Sequence, residues 1–599
     1  MRRYITILAL AAAALGVMAQ DLHKEIEIDR DIDPVETAVA KPGILPTLSL
    51  PALRQVVLNP IEMSQPVGVI PAISFLEPSA YADSLYVSPY RGYIAGGISP
   101  TPFSGTLAAG YRILDTDRVR LSAWLQFNSA NYKKQLPWSD YSRYWRQNTG
   151  SAGIDFRWAV GERSMFKTAV DYTYDRYLTI YNQPAYIFVD ENATDIDRRY
   201  YQTINLVNVA LDWTSGVDAL DYNVSLGFNH TGAGEDGPKT PLFYLVEDFM
   251  SRPIRQNTFN IAADATLPMA EKSFVGLDLG LDIIRTSRYT ALAITDNVVA
   301  PVVLTPWDGD TRGLFTITPR YKYTGKSFTA NIGARIQFSH NSGNTFNLTP
   351  DVTLGWTPMA LFAMEARFNG GVETNTLKEL YGVTPFFNPA VGYQFSRVPL
   401  DADVKALIGP FHGAYLQLRG GYSTARRWLM PYTGETGDYS SAALFLPTNI
   451  EGWRYGAEIG YNWREKVIAA VNYTGVPGND SPNRGYYRWR DRARHELGVN
   501  LSVKPVDRLT FSASYTLRAG RRIIDPYLYI NPVDESTVLA YRSHRLHNIS
   551  DLNLGVTYTL SDPLSLFLRG ENLLNHNTTD IALRPMPGIA VYVGASYQF

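Results

Sequence analysis

The chain has 599 residues, with 55 Lys and Arg against 57 Asp and Glu and a formal net charge of -2, a balance that gives no basic footprint for nucleic acid. It has no cysteine, which excludes disulfides, thiolate metal sites, a cysteine nucleophile and a lipid anchor on an N-terminal cysteine. Aromatic residues make up 13%, with 39 Tyr and 11 Trp, a supply suited to the two aromatic girdles of a membrane barrel.

Residues 1–19 read as a secretory signal peptide. Arg2 and Arg3 give a basic start, Ile7 to Met18 an apolar core, and Val17 with Ala19 a small-residue cleavage site before Gln20. The apolar run is too short to span a bilayer as a helix, and Asp21, His23, Lys24 and Glu25 follow at once. Residues 20–88 are rich in proline, including Pro34, Pro42, Pro46, Pro51, Pro60, Pro66, Pro71 and Pro78. Proline at this density disfavours a packed sheet and predicts an extended segment, lying in the periplasm or threading a lumen.

From residue 89 to 599 the dominant period is two. Val275, Leu277, Leu279, Leu281 and Ile283 share one face, with Asp278 and Asp282 opposite. Trp453, Tyr455, Ala457, Ile459, Tyr461 and Trp463 form another such row, as do Leu497, Val499, Leu501 and Val503, and Leu552, Leu554, Val556, Tyr558 and Leu560. Alternation predicts half-buried strands. The connections separate a membrane barrel from a soluble sandwich. Short polar turns, such as Asp115–Arg118, Gly161–Ser164, Ala270–Ser273, Arg464–Lys466 and Ser561–Pro563, alternate with long segments at Lys133–Arg146, Leu178–Gln202, Thr231–Arg255 and Gly520–His547. This predicts an all-β fold: a large antiparallel transmembrane β-barrel of about 22 strands, with short periplasmic turns, long extracellular loops and both chain ends periplasmic. The region Thr374–Pro410 does not parse into strands. The inward rows carry both signs of charge, among them Arg320, Asp264, Asp278, Arg454 and Arg569, a pattern read as a hydrated wall with local ion pairs.

The last predicted strand runs from Ile589 to Phe599. Gly594, Tyr597 and Phe599 match the C-terminal pattern of barrels inserted by the outer-membrane assembly machinery, and the terminal ring would sit at the lipid interface. Just upstream, Arg569, Glu571, Asn572, Leu573, Leu574 and Asn575 match a penultimate-strand motif, and Thr376-Leu-Lys-Glu-Leu-Tyr-Gly382 with Asn388-Pro389 matches a second landmark. On these residues the barrel region resembles the TonB-dependent receptors of the outer membrane. The resemblance implies a 22-stranded barrel, a globular N-terminal plug and energised import of a scarce ligand. The sequence departs from the family at the plug, because residues 20–88 leave no room for one. Glu36, Thr37, Ala38, Val39 and Ala40 loosely resemble a TonB box, the extended segment that pairs with the energising protein.

No constellation of catalytic chemistry stands out: histidine is sparse, no glycine-rich loop opens a helix, and no nucleophile has an evident base. The expected chain is not an enzyme and needs no cofactor or metal. Its expected partners are outer-membrane lipid, the barrel assembly machinery, and a TonB-type energising protein or another envelope protein. The function expected is that of a receptor or transporter without a standard plug. The alternatives are a non-transporting scaffold of an envelope complex and a passive pore.

Overall fold

A computed structural model of the chain describes residues 90–599 apart from 117, 136–141, 162, 181–198, 218–219, 237–253, 288–291, 294–301, 304–308, 344, 384, 386–393, 433–443, 465, 478–492, 531–536 and 580–585. The expected signal peptide, the proline-rich segment and Glu36–Ala40 lie outside the described residues.

Twenty-two strands form one antiparallel sheet that closes on itself. Each barrel strand pairs with the barrel strands before and after it in sequence, and the first, Gly92–Pro100, pairs with the last, Ala590–Gln598, from Tyr93↔Gln598 to Ile98↔Val593. Closure leaves no unpaired sheet edge, which is the condition for a sheet to stand in hydrocarbon. The rows read from the sequence face outward: Val275, Leu277, Leu279, Trp453, Tyr455, Ile459, Leu554, Tyr558 and Leu560 are all exposed. Among the described residues no helix is long and apolar enough to cross a membrane.

Several strands are far longer than the ~9–11 residues that cross a bilayer: Ser142–Val160 has 19 residues and Leu444–Trp463 has 20. In Ser142–Val160 the outward-facing positions include Ala152, Ile154, Phe156 and Trp158 toward the short-turn end, then Asn148 and Arg146 toward the other. The apolar band therefore abuts the periplasmic turns, and the excess strand length stands on the extracellular side. For this reason much of what the sequence presents as loop is paired strand. Lys133–Gln135 pair with Ser142–Tyr144, inside the expected loop Lys133–Arg146. The segment Gly520–His547 contains a separate hairpin, Arg522–Ile530 with Thr537–Arg545. Two outer connections are short, at Thr101–Pro102 and between His340 and Phe346, where Asn341 and Gly343 take positive φ.

The unparsed region holds the helix α1, Leu377–Val383, between the strands Phe362–Glu373 and Ser396–Phe411. Two buried apolar clusters accompany it. One joins Leu377, Leu380 and Tyr381 to Ala130, Tyr132, Trp145, Tyr177, Ile204, Ala233, Ile254, Ala590 and Tyr592. The other joins Ile284, Leu314 and Phe395. By strand parity these wall residues all point inward, and all lie near the extracellular ends of their strands.

Candidate functional site

The lumen wall and its outer mouth are where a barrel of this kind meets a ligand or a partner. The charges of the wall are organised as local pairs. Arg320 lies 2.8 Å from Asp278 and 3.8 Å from Asp264. Arg454 reaches Asp401 at 2.7 Å and Asp403 at 3.2 Å. Arg112 and Arg120 share Asp115 at 2.6 and 3.0 Å, Arg335 faces Asp351 at 3.6 Å, and Arg367 faces Glu365 at 2.7 Å. Sequence reading missed Asp401 and Asp403 because they fall in the unparsed stretch. The signal that could have found them is the local alternation of Asp401, Asp403 and Lys405 with Ala402, Val404 and Ala406 within Ser396–Phe411. A second polar line crosses the middle of the wall: Asn208 donates to Asp171, Asn229 donates to Asn208, and Asn260 donates to Asp282, each at 2.5 Å.

Helix α1 is built by its own sequence and then tied to the wall. Thr376 and Glu379 form a reciprocal capping box: the Thr376 amide donates to Glu379 Oε2 at 2.7 Å, and the Glu379 amide donates to Thr376 Oγ1 at 3.3 Å. The Leu377 amide, left over at the helix start, donates to Gln256 Oε1 at 2.8 Å, and Gln256 is held in turn by its own bond to Thr286 Oγ1 at 3.0 Å. Lys378 Nζ donates to Asn208 Oδ1 at 3.0 Å. Before the helix, Asn375 sits at φ 51° and donates to the Gln394 carbonyl and to Ser396 Oγ, at 2.7 and 2.9 Å. Arg312, only 1% exposed, donates to the Thr374 carbonyl at 3.4 Å, and its guanidinium lies 5.3 Å from the centre of the Phe395 ring.

The penultimate-strand motif is a structural knot at the outer rim. Arg569 pairs with Glu571 at 2.9 Å, and its guanidinium lies 5.0 Å from the centre of the buried Tyr592 ring. Asn572 and Asn575 both have positive φ, 46° and 48°, the left-handed region that Asn tolerates better than most residues. Asn572 Nδ2 donates to the Pro587 carbonyl at 2.6 Å, and its Oδ1 accepts from the His576 amide at 3.3 Å. The Leu573 amide donates back to Leu552 at 2.9 Å, and Leu574 is exposed. Asn575 Oδ1 accepts from Lys134 at 3.0 Å.

The terminal residues form the closing seam. Gly594 pairs with Gly97 on one side and Phe567 on the other. The Phe599 carbonyl accepts from the amides of Arg91 and Gly92, both at 2.8 Å, and the Phe599 amide donates to Gly92 at 2.9 Å. The Phe599 ring stacks between Tyr597 and Tyr111, with centroids 6.1 and 6.0 Å away. Among the described residues no group of His, Cys, Asp and Glu could hold a metal ion.

No protein-family model and no curated protein matches the chain. Its structure is similar to several solved ones. The ferric enterobactin receptor of Pseudomonas aeruginosa aligns with a TM-score of 0.60 at 11% identity, over 86% of this chain and 81% of that one. The siderophore receptor PirA of Acinetobacter baumannii aligns at 0.61 and 10% identity, over the same shares of the two chains. The outer membrane transporter YddB of Escherichia coli aligns at 0.56 and 9% identity, again over 86% and 81%. At these identities the likeness is one of fold, and this chain has the 22-stranded barrel fold of the TonB-dependent receptors that its C-terminal motif resembles.

Proposed function

We propose that the chain is an outer-membrane barrel of the receptor and transporter kind, engaging a ligand at the cell surface without a standard globular plug. The observation that carries this reading is the likeness of the 22-stranded barrel to siderophore receptors and an outer-membrane transporter over 86% of the chain. The proline-rich composition of residues 20–88 supports an extended segment in place of a packed plug there, since proline at this density disfavours a sheet. In this reading Glu36–Ala40 is the extended segment that meets a TonB-type energising protein by strand addition. Deleting Glu25–Ala40 tests it. Ligand uptake that depends on the proton-motive force should be lost while the barrel still inserts, and uptake and partner binding left intact would overturn the energised role.

A second reading is a non-transporting scaffold of an envelope complex. It is favoured by one observation, the helix packed inside the outer mouth, which suits a barrel that is braced more than one that is traversed. Purification in mild detergent separates the two. Stoichiometric co-purifying subunits support the scaffold, and a monomer with a bound small ligand supports the receptor.

A further inference from the structure

We propose that the outward face of the strands Phe103–Asp115, Val119–Gln135, Ser142–Val160 and Ser164–Ile180 holds a lipid of the outer leaflet, with its phosphorylated headgroup on Lys133, Arg146 and Arg176 and an acyl chain in an apolar groove beneath them. The site lies on the membrane side of the wall and does not depend on what the lumen binds.

Strand parity places the charges. Ser129 pairs with Asn148 and Asn148 with Arg176, Asn131 pairs with Arg146, and Lys133 stands one outward position above Asn131. These residues continue outward rows whose lower members, Leu125, Phe127, Ile154, Tyr172 and Tyr174, are exposed apolar and aromatic side chains. Lys133, Arg146 and Arg176 are exposed as well. Arg176 follows Tyr174 at a rise of about 7 Å along the strand, where the apolar band gives way to lipid headgroups. The acids of Ser164–Ile180, Asp171 and Asp175, belong to the inward rows. Among the described residues of these strands no carboxylate faces outward beside the cations. Guanidinium and ammonium groups gathered at this level suit a phosphate.

The groove lies just below. Ile94, Ala109, Leu125, Ala152 and Tyr172 are successive cross-strand partners, and large and small side chains alternate along that outward row. In the next row toward the turns Ala123 sits between Tyr111 and Ile154. Ala109, Ala123 and Ala152 thereby leave a depression of about 650 Å³, within the ~300–1,000 Å³ of ordinary ligand pockets. It opens on the hydrocarbon side, where an unfilled hollow forfeits dispersion contacts and a flexible acyl chain can follow its floor. Its upper wall, Tyr172, is two outward positions below Arg176 on the same strand. An amphiphile in the groove therefore carries its headgroup to the cations.

Charge decides the occupant. A second copy of the chain docked on this face would set the same cations against each other, which disfavours it. A phosphorylated lipid supplies both the anion and the chain. Elsewhere on the wall the two features are separated. Arg255 and Arg285 are also exposed on outward rows, above Phe259 and Ile283, but there the row beneath is filled by the large side chains of Phe228, Phe259 and Ile283.

Lipid binding to the purified full-length chain in mild detergent, read by native mass spectrometry, tests the site. The probes are lipid A (a phosphorylated, acylated disaccharide), diacylglycerol and inorganic phosphate. The expected result is a lipid A adduct that neither of the other probes matches or displaces. Arg146→Glu with Arg176→Glu should weaken it by about tenfold or more, as loss of charged hydrogen bonds does. Ala152→Phe, which fills the groove, should weaken it several-fold. Arg255→Glu with Arg285→Glu makes the same change of charge away from the groove and should leave the adduct nearly unchanged. A heat-modifiable gel shift shows that each variant has folded as a barrel. Should the first charge variant or Ala152→Phe fail to fold, Arg146→Ala with Arg176→Ala and Ala123→Leu replace them. Equal losses in the two charge variants would overturn the site, since diffuse attraction would then explain binding. So would a folded groove variant that binds as well as the chain itself. Diacylglycerol binding as tightly as lipid A would remove the headgroup from the account, and displacement by inorganic phosphate alone would remove the chain. None of these outcomes measures uptake or partner binding, so the proposed function stands or falls separately.

Discussion

The ring of Phe567 covers Gly594 across the closing seam, and the two residues are direct partners in the register. A Cβ on Gly594 would fall on that ring and on the backbone oxygen of Gly96. The same relation recurs between paired residues elsewhere in the wall, at Tyr93 and Gly110, Trp124 and Gly153, Tyr415 and Gly460, and Tyr455 and Gly475. An aromatic ring lying over a cross-strand glycine fills the space where a side chain is missing and helps pin the register. Gly594 is thus needed for packing, whatever the assembly machinery reads. Gly594→Val should destabilise the barrel by about 1–3 kcal/mol, the usual range for overpacking. Adding Phe567→Ala should recover only part of this, because the approach to Gly96 remains. Urea midpoints of the two variants, followed by heat-modifiable mobility, check the prediction, and complete recovery in the double variant would show that the backbone approach is unimportant.

Phe599 holds the seam in two separable ways, through its backbone bonds to Arg91 and Gly92 and through its ring against Tyr111 and Tyr597. Phe599→Ala keeps the first and loses the second, with aromatic pairs worth about 0.5–1.5 kcal/mol each. Removal of the residue loses both. If seam stability governs the yield of inserted barrel, the truncation should be clearly worse than Phe599→Ala. Equal losses in the two would place the requirement in the ring alone, as an assembly signal would have it.

The barrel was legible in the sequence because lipid imposes one rule on every strand: alternate residues must be apolar. Val275 to Ile283 and Leu552 to Leu560 obey it, and the short turns between such rows mark the periplasmic end. Above the bilayer the rule lapses. Lys133–Gln135 and Ser142–Tyr144 still pair, but water on the outer face no longer demands apolar side chains there, so the strands read as loop. Helix α1 was hidden for another reason. Its seven residues are too few to show more than one turn of helical period, at Leu377, Leu380 and Tyr381, and the Thr376…Glu379 capping box was the other local signal that could have announced it. Its ties to Gln256, Asn208 and Arg312 are contacts distant in sequence, which neither periodicity nor composition carries.

The buried Arg569 pairs with the largely buried Glu571 at the outer end of the penultimate strand, with the Arg569 guanidinium over Tyr592. Removing one partner of such a pair leaves a charge without compensation, at a cost of about 3–5 kcal/mol. Arg569→Leu should therefore lower unfolding resistance strongly. Arg569→Leu with Glu571→Leu should restore most of it, since apolar replacements of a buried pair are often neutral. Urea denaturation in detergent checks the cycle, and a double variant no better than Arg569→Leu would mean that packing on Tyr592 outweighs charge.

Asn572 and Asn575 look equivalent in the sequence motif and share the left-handed backbone, but the structure gives them different work. The Asn572 side chain ties the end of one strand to the Pro587 carbonyl and to the His576 amide. The Asn575 side chain makes one bond to the Lys134 ammonium on another strand. Glycine separates backbone from side chain, because it adopts positive φ without strain. Asn575→Gly should thus cost little, within the ~0.5–1.5 kcal/mol of one net hydrogen bond. Asn572→Gly should cost more, because two bonds go and the Pro587 carbonyl loses a donor. Asn572→Ala should be worse again by the ~1–2 kcal/mol of an alanine in left-handed geometry. Thermal unfolding monitored by circular dichroism should rank the variants in that order. If Asn572→Gly were as mild as Asn575→Gly, the backbone turn alone would explain the asparagines of the motif.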